Sequence, residues 1–362
     1  MDFGWVAETL TRVAPILAFL VAITVVAELA DRAGVFMAAS SLTTRLGGGS
    51  VGRLWLIICV LAVLCTAVLS LDTTAVLLTP VVLVTARRLG IAPWPFALAT
   101  VWLANTASLV LPVSNLTNLL LIDQLDWSVF DYLSRMWFPA AVAIVVSVGV
   151  LWLLLRASLV GRFGTPTQAK PNDRVLFVIA TATCLAVGPL FVAGVEPWIV
   201  ATGAASLLLA AFAIRARGEL KWALAPWQLV VFTILLFLAV GLLQQLRLLD
   251  WLADVAGTGT GLVDLLRMAG TGAVASNVIN NLPAYVALEP VASDSSDRLL
   301  ALLIGTNLGP LITLWASLAT LLWRDRCRTE NVVVSARRFA SVGMVGVPVL
   351  LVATSGALWL TI

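Results

Sequence analysis

The stretch Ser-Asn-Val-Ile-Asn-Asn-Leu-Pro, residues 276–283, lies inside an apolar run that extends from residue 268 to residue 296. Three amides, a hydroxyl and a proline within these eight residues form a dense polar interruption. A lipid bilayer tolerates irregular backbone only where it is buried in protein or lines a cavity. The run therefore predicts a re-entrant helical hairpin whose polar tip lies inside the protein. The tip residues are Ser276, Asn277, Asn280 and Asn281.

A second interrupted run covers residues 53–88, where Ser70, Asp72 and Thr73 stand between apolar halves. Asp72 is far along the chain from the arginines that flank this run, so we expect it near the middle of the membrane. A carboxylate at that depth is costly unless it is paired, hydrated or protonated, and such acids often mark proton pathways. The sequence thus predicts a second hairpin, with Asp72 as a proton-coupling residue and Ser70 and Thr73 beside it.

The whole chain has the composition of an integral membrane protein. Of its 362 residues, 61% are hydrophobic and 11% are charged, whereas soluble domains are about 25% charged. Nucleic-acid binding and soluble multidomain enzymes are excluded on this ground. The chain has no histidine, which removes His-based metal sites and Ser-His-Asp catalysis. We predict no metal or cofactor, and the absence of an HExxH motif or phosphate loop speaks against an enzyme.

The order of predicted elements is the same in two parts of the chain. Residues 1–156 contain a span, an interfacial helix at 31–46, the hairpin 53–88, a broken helix and a span. Residues 227–362 repeat that order, with the interfacial helix at 249–266 and the hairpin at 268–296. Residues 157–226 supply a linker and two scaffold spans. About eight segments could cross a bilayer, which takes about 20 apolar residues: 13–30, 95–122, 137–156, 175–193, 197–214, 227–246, 299–323 and 340–361.

Two of these spans, 95–122 and 299–323, carry polar interruptions of their own around Pro112 and Pro310. Proline removes a helix hydrogen bond, so each span is predicted to be discontinuous. Discontinuous helices at corresponding places in two halves indicate a transport site near the bilayer midplane. The candidate substrate-binding or ion-binding residues in them are Asn105, Ser114, Asn115, Asn118, Asn307 and Ser317.

The charges favour a topology in which both hairpins enter and leave on one side. The second half then has the opposite orientation, which makes the two halves an inverted repeat. Under this topology 17 of the 22 Lys and Arg residues lie on one side of the membrane. The excess of basic residues in cytoplasmic loops assigns that side to the cytoplasm and both termini to the outside.

Several of these runs resemble bacterial arsenite and antimonite efflux permeases. The matching runs are 71–80, 104–109, 113–118, 277–283, 308–313 and 317–323. The hairpin motifs alone are shared with the wider ion transporter superfamily, which includes sodium/proton antiporters and sodium–dicarboxylate symporters. Asp72 matches an acid of the permease pattern, whereas Asn105 and Asn307 stand where that pattern usually has Asp.

The resemblance implies a bacterial plasma-membrane homodimer with a transport domain and a scaffold domain, and it leaves open whether a cytoplasmic ATPase subunit attaches to the basic face. It also implies proton-coupled efflux of trivalent arsenic or antimony by alternating access. A sodium-coupled transporter, either an anion symporter of the dicarboxylate type or a sodium/proton antiporter, remains the alternative. Oxygen ligands at the hairpin tips would suit a sodium ion.

Overall fold

The computed structural model describes residues 4–164, 173–245 and 255–362, and in these ranges the chain is almost entirely helical. The helices of the first half are α1 (Gly4–Arg32), α2 (Val35–Leu46), α3 (Val51–Leu69), α4 (Leu71–Thr73), α5 (Thr79–Arg88), α6 (Trp94–Ala107), α7 (Leu116–Leu125) and α8 (Val129–Leu155). The linking helices are α9 (Arg174–Val192) and α10 (Pro197–Arg215). The helices of the second half are α11 (Trp227–Gln245), α12 (Leu262–Ile279), α13 (Asn281–Ala292), α14 (Ser296–Leu308), α15 (Leu318–Thr329) and α16 (Ala336–Trp359).

Seven helices of the described chain are long and apolar enough to cross a membrane. Five of them, α1, α8, α9, α10 and α16, correspond to predicted spans. The other two are α3 and α12, the first limbs of the hairpins, which are not among the eight spans predicted from the sequence. The all-helical membrane fold is as the sequence predicts. Of the two amphipathic stretches, 31–46 corresponds to α2, and 249–266 lies partly outside the described residues.

Both hairpins turn at a residue with the same unusual backbone conformation. Ser70, between α3 and α4, has φ 91° and ψ 161°, and Asn280, between α12 and α13, has φ 86° and ψ 155°. Positive φ is uncommon in residues other than glycine. After Ser70 a π-helical turn, Thr74–Leu78, joins α4 to α5. Both limbs of the first hairpin contact α6, and both limbs of the second contact α14.

The first limbs of the hairpins are longer than the half-length helices that the sequence predicts. Helix α3 has 19 residues, or about 28 Å of length, because its apolar run continues without a break up to Ser70. The second hairpin covers Leu262–Ala292 rather than residues 268–296, since α12 begins earlier and Ser296 already belongs to α14.

The two predicted discontinuous helices are confirmed. Helix α6 ends at Ala107, and its continuation α7 begins after Asn115, whose side chain accepts a hydrogen bond from the Thr117 amide. Helix α14 ends at Leu308, and α15 begins after Ser317, which caps it in the same way. Asn115 and Ser317 have nearly the same backbone angles, so the two breaks are equivalent in structure as well as in order.

The two halves interlock through their broken helices. Helix α15 contacts the second limb of the first hairpin, and α7 contacts the second limb of the second hairpin. The fully buried Trp323 of α15 donates from Nε1 to the carbonyl oxygen of Ala97 on α6 over 2.9 Å. Each hairpin is therefore packed against helices of both halves, which brings their tips to the centre of the fold.

Helices α12 and α14 approach each other very closely. A Cβ added to Gly305 would overlap the backbone of Ala269, and one added to Gly309 would overlap Ala273. Small residues permit such close backbone contact between membrane helices. The contact fixes the first limb of the second hairpin against the broken helix.

Ion pairs join loops and helix ends at the two ends of the fold. Arg32–Glu219 (3.1 Å), Arg87–Glu330 (3.0 Å) and Arg215–Asp173 (2.9 Å) lie at one end, and Arg135–Asp297 (3.6 Å) and Arg298–Asp294 (3.2 Å) at the other. The hydrogen bond from Arg215 lowers the pKa of the Asp173 carboxyl. The arginines of the first three pairs belong to the group that the charge pattern assigns to the cytoplasm.

Candidate functional site

The tips of the two hairpins meet at a small pocket of about 20 Å³. Its polar lining comes from Asp72 and Asn115 of the first half and from Thr233, Asn280 and Asn281 of the second. A space of this size holds about one water molecule. The structure thus places the predicted acid of one hairpin beside the predicted amides of the other, although about 200 residues separate them in sequence.

Asp72 stands between this pocket and a much larger cavity of about 690 Å³. The acid lies in the short helix α4, just past the turn at Ser70, and its side chain is partly exposed to the cavity. Phe232 and Leu318 also line both spaces. Among the described residues no Lys or Arg forms an ion pair with Asp72, so its charge depends on water and on nearby polar groups.

The larger cavity lies between α1, the second limb of the first hairpin, the start of α11 and helix α15. Its walls are mostly apolar. The polar side chains that line it are those of Thr24, Glu28, Asp72, Thr73 and Gln228. Apolar walls with a few polar groups are typical of small-molecule sites.

The tip of the second hairpin is held by the break of the neighbouring helix. Asn277 donates to the Gly309 carbonyl over 2.8 Å and accepts from the backbone amide of Thr313 over 3.0 Å. Asn280 donates from its side chain to the Trp315 carbonyl over 2.9 Å. The backbone amide of Asn281 donates to the Ala316 carbonyl. The tip and the break are therefore joined by these four hydrogen bonds.

The tip of the first hairpin is tied in a similar way but with fewer bonds. Ser114, at the break between α6 and α7, donates to the carbonyl of Ala67 in α3 over 3.1 Å. The hydroxyl of Ser70 lies 3.2 Å from that of Thr73. None of these bonds involves Asp72, and no hydrogen bond from a described residue to its carboxyl group is observed.

A cluster of buried amides joins the two broken helices. Asn307 of α14 accepts from Nδ2 of Asn115 over 2.8 Å and from the hydroxyl of Thr117 over 3.1 Å. Its own Nδ2 donates to Oδ1 of Asn118 over 3.1 Å, and Asn118 in turn donates to the carbonyls of Ser108 and Leu111. Asn307 thus spans the interface between the halves.

Asn105, which occupies the equivalent place in α6, has no such cluster. Its Nδ2 donates to the Val101 carbonyl of its own helix over 2.9 Å. Its Oδ1 is fully buried and has no hydrogen-bond partner among the described residues. In the second half, Ser317, the counterpart of Asn115, pairs with the hydroxyl of Thr320 at 2.8 Å and not with an amide of the other half. The two halves are therefore alike in backbone and different in polar side chains.

The predicted site residues fall into two groups. Asp72, Thr73, Asn115, Asn280 and Asn281 line the pocket or the cavity. The others line neither space. Asn105 and Ser276 bond only to carbonyls of their own helices, and the rest form hydrogen bonds within or between the tips and breaks: Ser70, Ser114, Asn118, Asn277, Asn307 and Ser317.

Several polar contacts at the site are not apparent from the sequence. Thr117 and Thr313 bond to the amides, Thr233 lines the pocket, and Glu28 lines the cavity. Glu28 follows an apolar run just ahead of Asp31 and Arg32, which in sequence looks like a helix end at the membrane surface. The two threonines beside the asparagine-rich breaks could have been found from that proximity.

The described residues contain no group of three or more His, Cys, Asp and Glu side chains that could hold a metal. The oxygen atoms available at the pocket are those of amides, hydroxyls and the Asp72 carboxyl. Such oxygens can accept hydrogen bonds from a hydroxylated solute or ligate a monovalent cation.

Comparisons with known proteins agree with a transporter. Residues 12–320 match the family described as citrate transporter. An arsenical pump membrane protein from an Escherichia coli strain is 31% identical over 92% of this chain and 84% of its own length. The arsenical pump membrane protein of Yersinia enterocolitica is 30% identical over the same shares. A 46 kDa membrane protein of Mycobacterium leprae is 25% identical over 94% of this chain and 85% of its own.

The fold also has a counterpart among solved structures. The crystal structure of the YdaH transporter from Alcanivorax borkumensis superposes with a TM-score of 0.61 at 14% sequence identity. The match covers 99% of this chain and 87% of the YdaH chain. At this identity the likeness concerns the fold alone.

Proposed function

This chain is a multi-pass membrane transporter of the citrate transporter family, and we propose that it exports an uncharged trivalent arsenic or antimony hydroxide in exchange for protons. The observation that carries the proposal is the position of Asp72. Its carboxyl has no described ion-pair partner and stands between the larger cavity and the pocket at the hairpin tips. An intramembrane acid in that position can bind and release protons as access alternates.

The lining of the two spaces supports an uncharged or cationic solute rather than an anion. None of the described residues that line them is Lys or Arg, and two acids, Glu28 and Asp72, line the larger one. A polycarboxylate would meet this negative charge without a compensating cation. A metalloid hydroxide offers hydroxyl groups that can donate to the amide oxygens and to Asp72.

In the mechanism that we propose, the hairpins and broken helices move against the remaining helices. The solute enters the larger cavity from the cytoplasm and displaces the proton of Asp72. The pocket of about 20 Å³ is too small for a metalloid hydroxide, so the tips must separate before the solute can pass. After the solute is released outside, Asp72 takes up an external proton, and the binding site becomes accessible from the cytoplasm again. Alternating access of this kind is the general mode of transporters with inverted repeats.

The match to the citrate transporter family favours one other candidate, an anion symporter. The alternative from the sequence couples such a symporter to sodium, or makes the protein a sodium/proton antiporter. The side-chain oxygens of Asn115, Asn280 and Asn281 are ligands of the kind that sodium accepts. The acidic lining of the cavity is harder to reconcile with an anionic substrate.

The remaining parts of the proposal concern topology and assembly. Residues 1–156 and 227–362 form the two inverted repeats, residues 157–226 form the cytoplasmic linker and scaffold spans, and both termini lie outside the cell. The transporter is a homodimer whose basic cytoplasmic face can receive an ATPase subunit. This assembly follows the resemblance to the arsenite and antimonite permeases.

The test is a flux measurement in proteoliposomes, with arsenite, antimonite and citrate as solutes and with pH and sodium gradients imposed separately. The proposal expects arsenite and antimonite flux that responds to the pH gradient and is indifferent to sodium. Citrate movement driven by sodium, with no response to arsenite, would replace the proposal by the second candidate.

A further inference from the structure

The larger cavity contains a second acid besides Asp72. Glu28 is on α1, outside both hairpins and both broken helices, and lines the same 690 Å³ space as Asp72. The other polar side chains that line this space are those of Thr24, Thr73 and Gln228, and the rest of the lining is mostly apolar. Two acids on the wall of one cavity, one of them at membrane depth, point to a role in proton or ion movement.

Glu28 has no cationic partner among the described residues, although one is available nearby. Arg32 lies four residues further along α1, which is the favourable spacing for a helical Glu–Arg pair. Arg32 instead pairs with Glu219 over 3.1 Å, in the 3₁₀ turn that follows α10. Because Arg32 is engaged there, the Glu28 carboxylate remains available to the cavity.

The charged groups around Glu28 place it near the membrane surface. Asp31 on the same helix interacts with Glu28, with Arg32 and with Arg326 of α15. Arg32 and Arg326 belong to the set of basic residues that the charge pattern assigns to the cytoplasm. Asp72, by contrast, lies at the hairpin tip beside the second hairpin. The cavity therefore extends from the predicted cytoplasmic end of α1 to the centre of the fold.

We propose that Glu28 is the cytoplasmic end of a two-carboxyl proton route. When the cavity is open to the cytoplasm, the proton leaves the Asp72 carboxyl for a water molecule in the cavity. That water passes a proton to the Glu28 carboxylate, which releases it to the cytoplasm. Each transfer moves one proton and no electrons. This role rests on the proposed function, because it assumes that Asp72 carries the coupled proton.

The test compares two fluxes in proteoliposomes that contain Glu28→Gln. Arsenite flux driven by a pH gradient requires proton release, whereas exchange of labelled for unlabelled arsenite at equal pH does not. Glu28→Gln should slow the driven flux by about a hundredfold, the lower end of what a lost acid–base group costs, and should lower the exchange far less. Glu28→Asp, which keeps a carboxyl, should recover most of the driven flux. Glu330→Gln, which alters the Arg87 ion pair outside the cavity, is the matched control.

The outcomes separate this inference from the proposed function. If Glu28→Gln leaves both fluxes at the wild-type rate, or lowers both equally, the proton route through Glu28 is wrong. If Asp72→Asn retains flux driven by the pH gradient, the proposed function itself fails. Exchange by the Glu28→Gln protein shows that it is folded, so a loss of driven flux cannot be ascribed to misfolding.

Discussion

Nδ2 of Asn115 donates to Oδ1 of Asn307 over 2.8 Å, although 192 residues separate them in sequence. The bond joins the start of α7 to the end of α14, and Thr117 and Asn118 add two more bonds to Asn307. All of these side chains are buried. The two broken helices are thus joined by polar bonds at the level of the site, and we expect them to move together during transport.

Asn307→Leu should destabilise the protein clearly. It removes three hydrogen bonds and leaves buried polar groups on Asn115, Thr117 and Asn118 without their partner. An unsatisfied buried polar group costs about 1–3 kcal/mol, so the midpoint of thermal unfolding in detergent should fall by several degrees. Tryptophan fluorescence of the purified protein can follow this unfolding.

Asn105→Leu is the matched control for that experiment. Asn105 is the equivalent residue of the first half, and its Oδ1 has no described partner. Replacing it removes one bond to a helical carbonyl and one unsatisfied oxygen. The loss of stability should be clearly smaller than that of Asn307→Leu, and equal losses would contradict the asymmetry between the halves.

Gly305→Leu should prevent correct folding. Any side chain at Gly305 overlaps the backbone of Ala269, and backbone cannot move aside as a flexible side chain can. Gly356→Leu, in α16, meets nothing within 4 Å and serves as the control. The measurement is the yield of monodisperse protein in size-exclusion chromatography. A normal yield for Gly305→Leu would show that α12 and α14 are further apart than described.

The hairpin turns should accept glycine and reject β-branched residues. Asn280 has φ 86°, which glycine adopts freely and valine adopts only at a cost of about 1–3 kcal/mol. Asn280→Gly loses the bond to the Trp315 carbonyl but should fold, whereas Asn280→Val should lower the unfolding temperature further. The same order is expected at Ser70. If valine were as stable as glycine at both positions, the turns would not have this conformation.

The sequence was sufficient to locate the interruptions of the fold. Ser70, Asn280 and the two proline-containing breaks stand out because polar residues and prolines are rare in apolar runs. Asn115 and Ser317 likewise lie in the polar interruptions of two spans that the sequence places at corresponding positions in the two halves. Each of these positions could be predicted from residues that are only a few places apart in the sequence.

Features that depend on distant residues were not predictable in the same way. The partners of Asn307 lie about 190 residues away in sequence, and nothing in the sequence near either residue indicates which amide bonds to which. Glu28 was similarly hidden, because its depth can be estimated from flanking charges but the cavity it lines is formed by four separate parts of the chain. The hairpin limbs were predicted too short, since α12 begins with polar residues such as Asp264 and Arg267.

The central claim, that Asp72 carries the coupled proton, is tested most directly by proton movement itself. Proteoliposomes loaded with a pH-sensitive dye receive an arsenite gradient in the absence of sodium, and the change in internal pH is recorded for the wild type and for Asp72→Asn. The account predicts that the wild-type protein moves protons opposite to arsenite and that Asp72→Asn moves none. Arsenite-dependent proton movement by Asp72→Asn at the wild-type rate would contradict it.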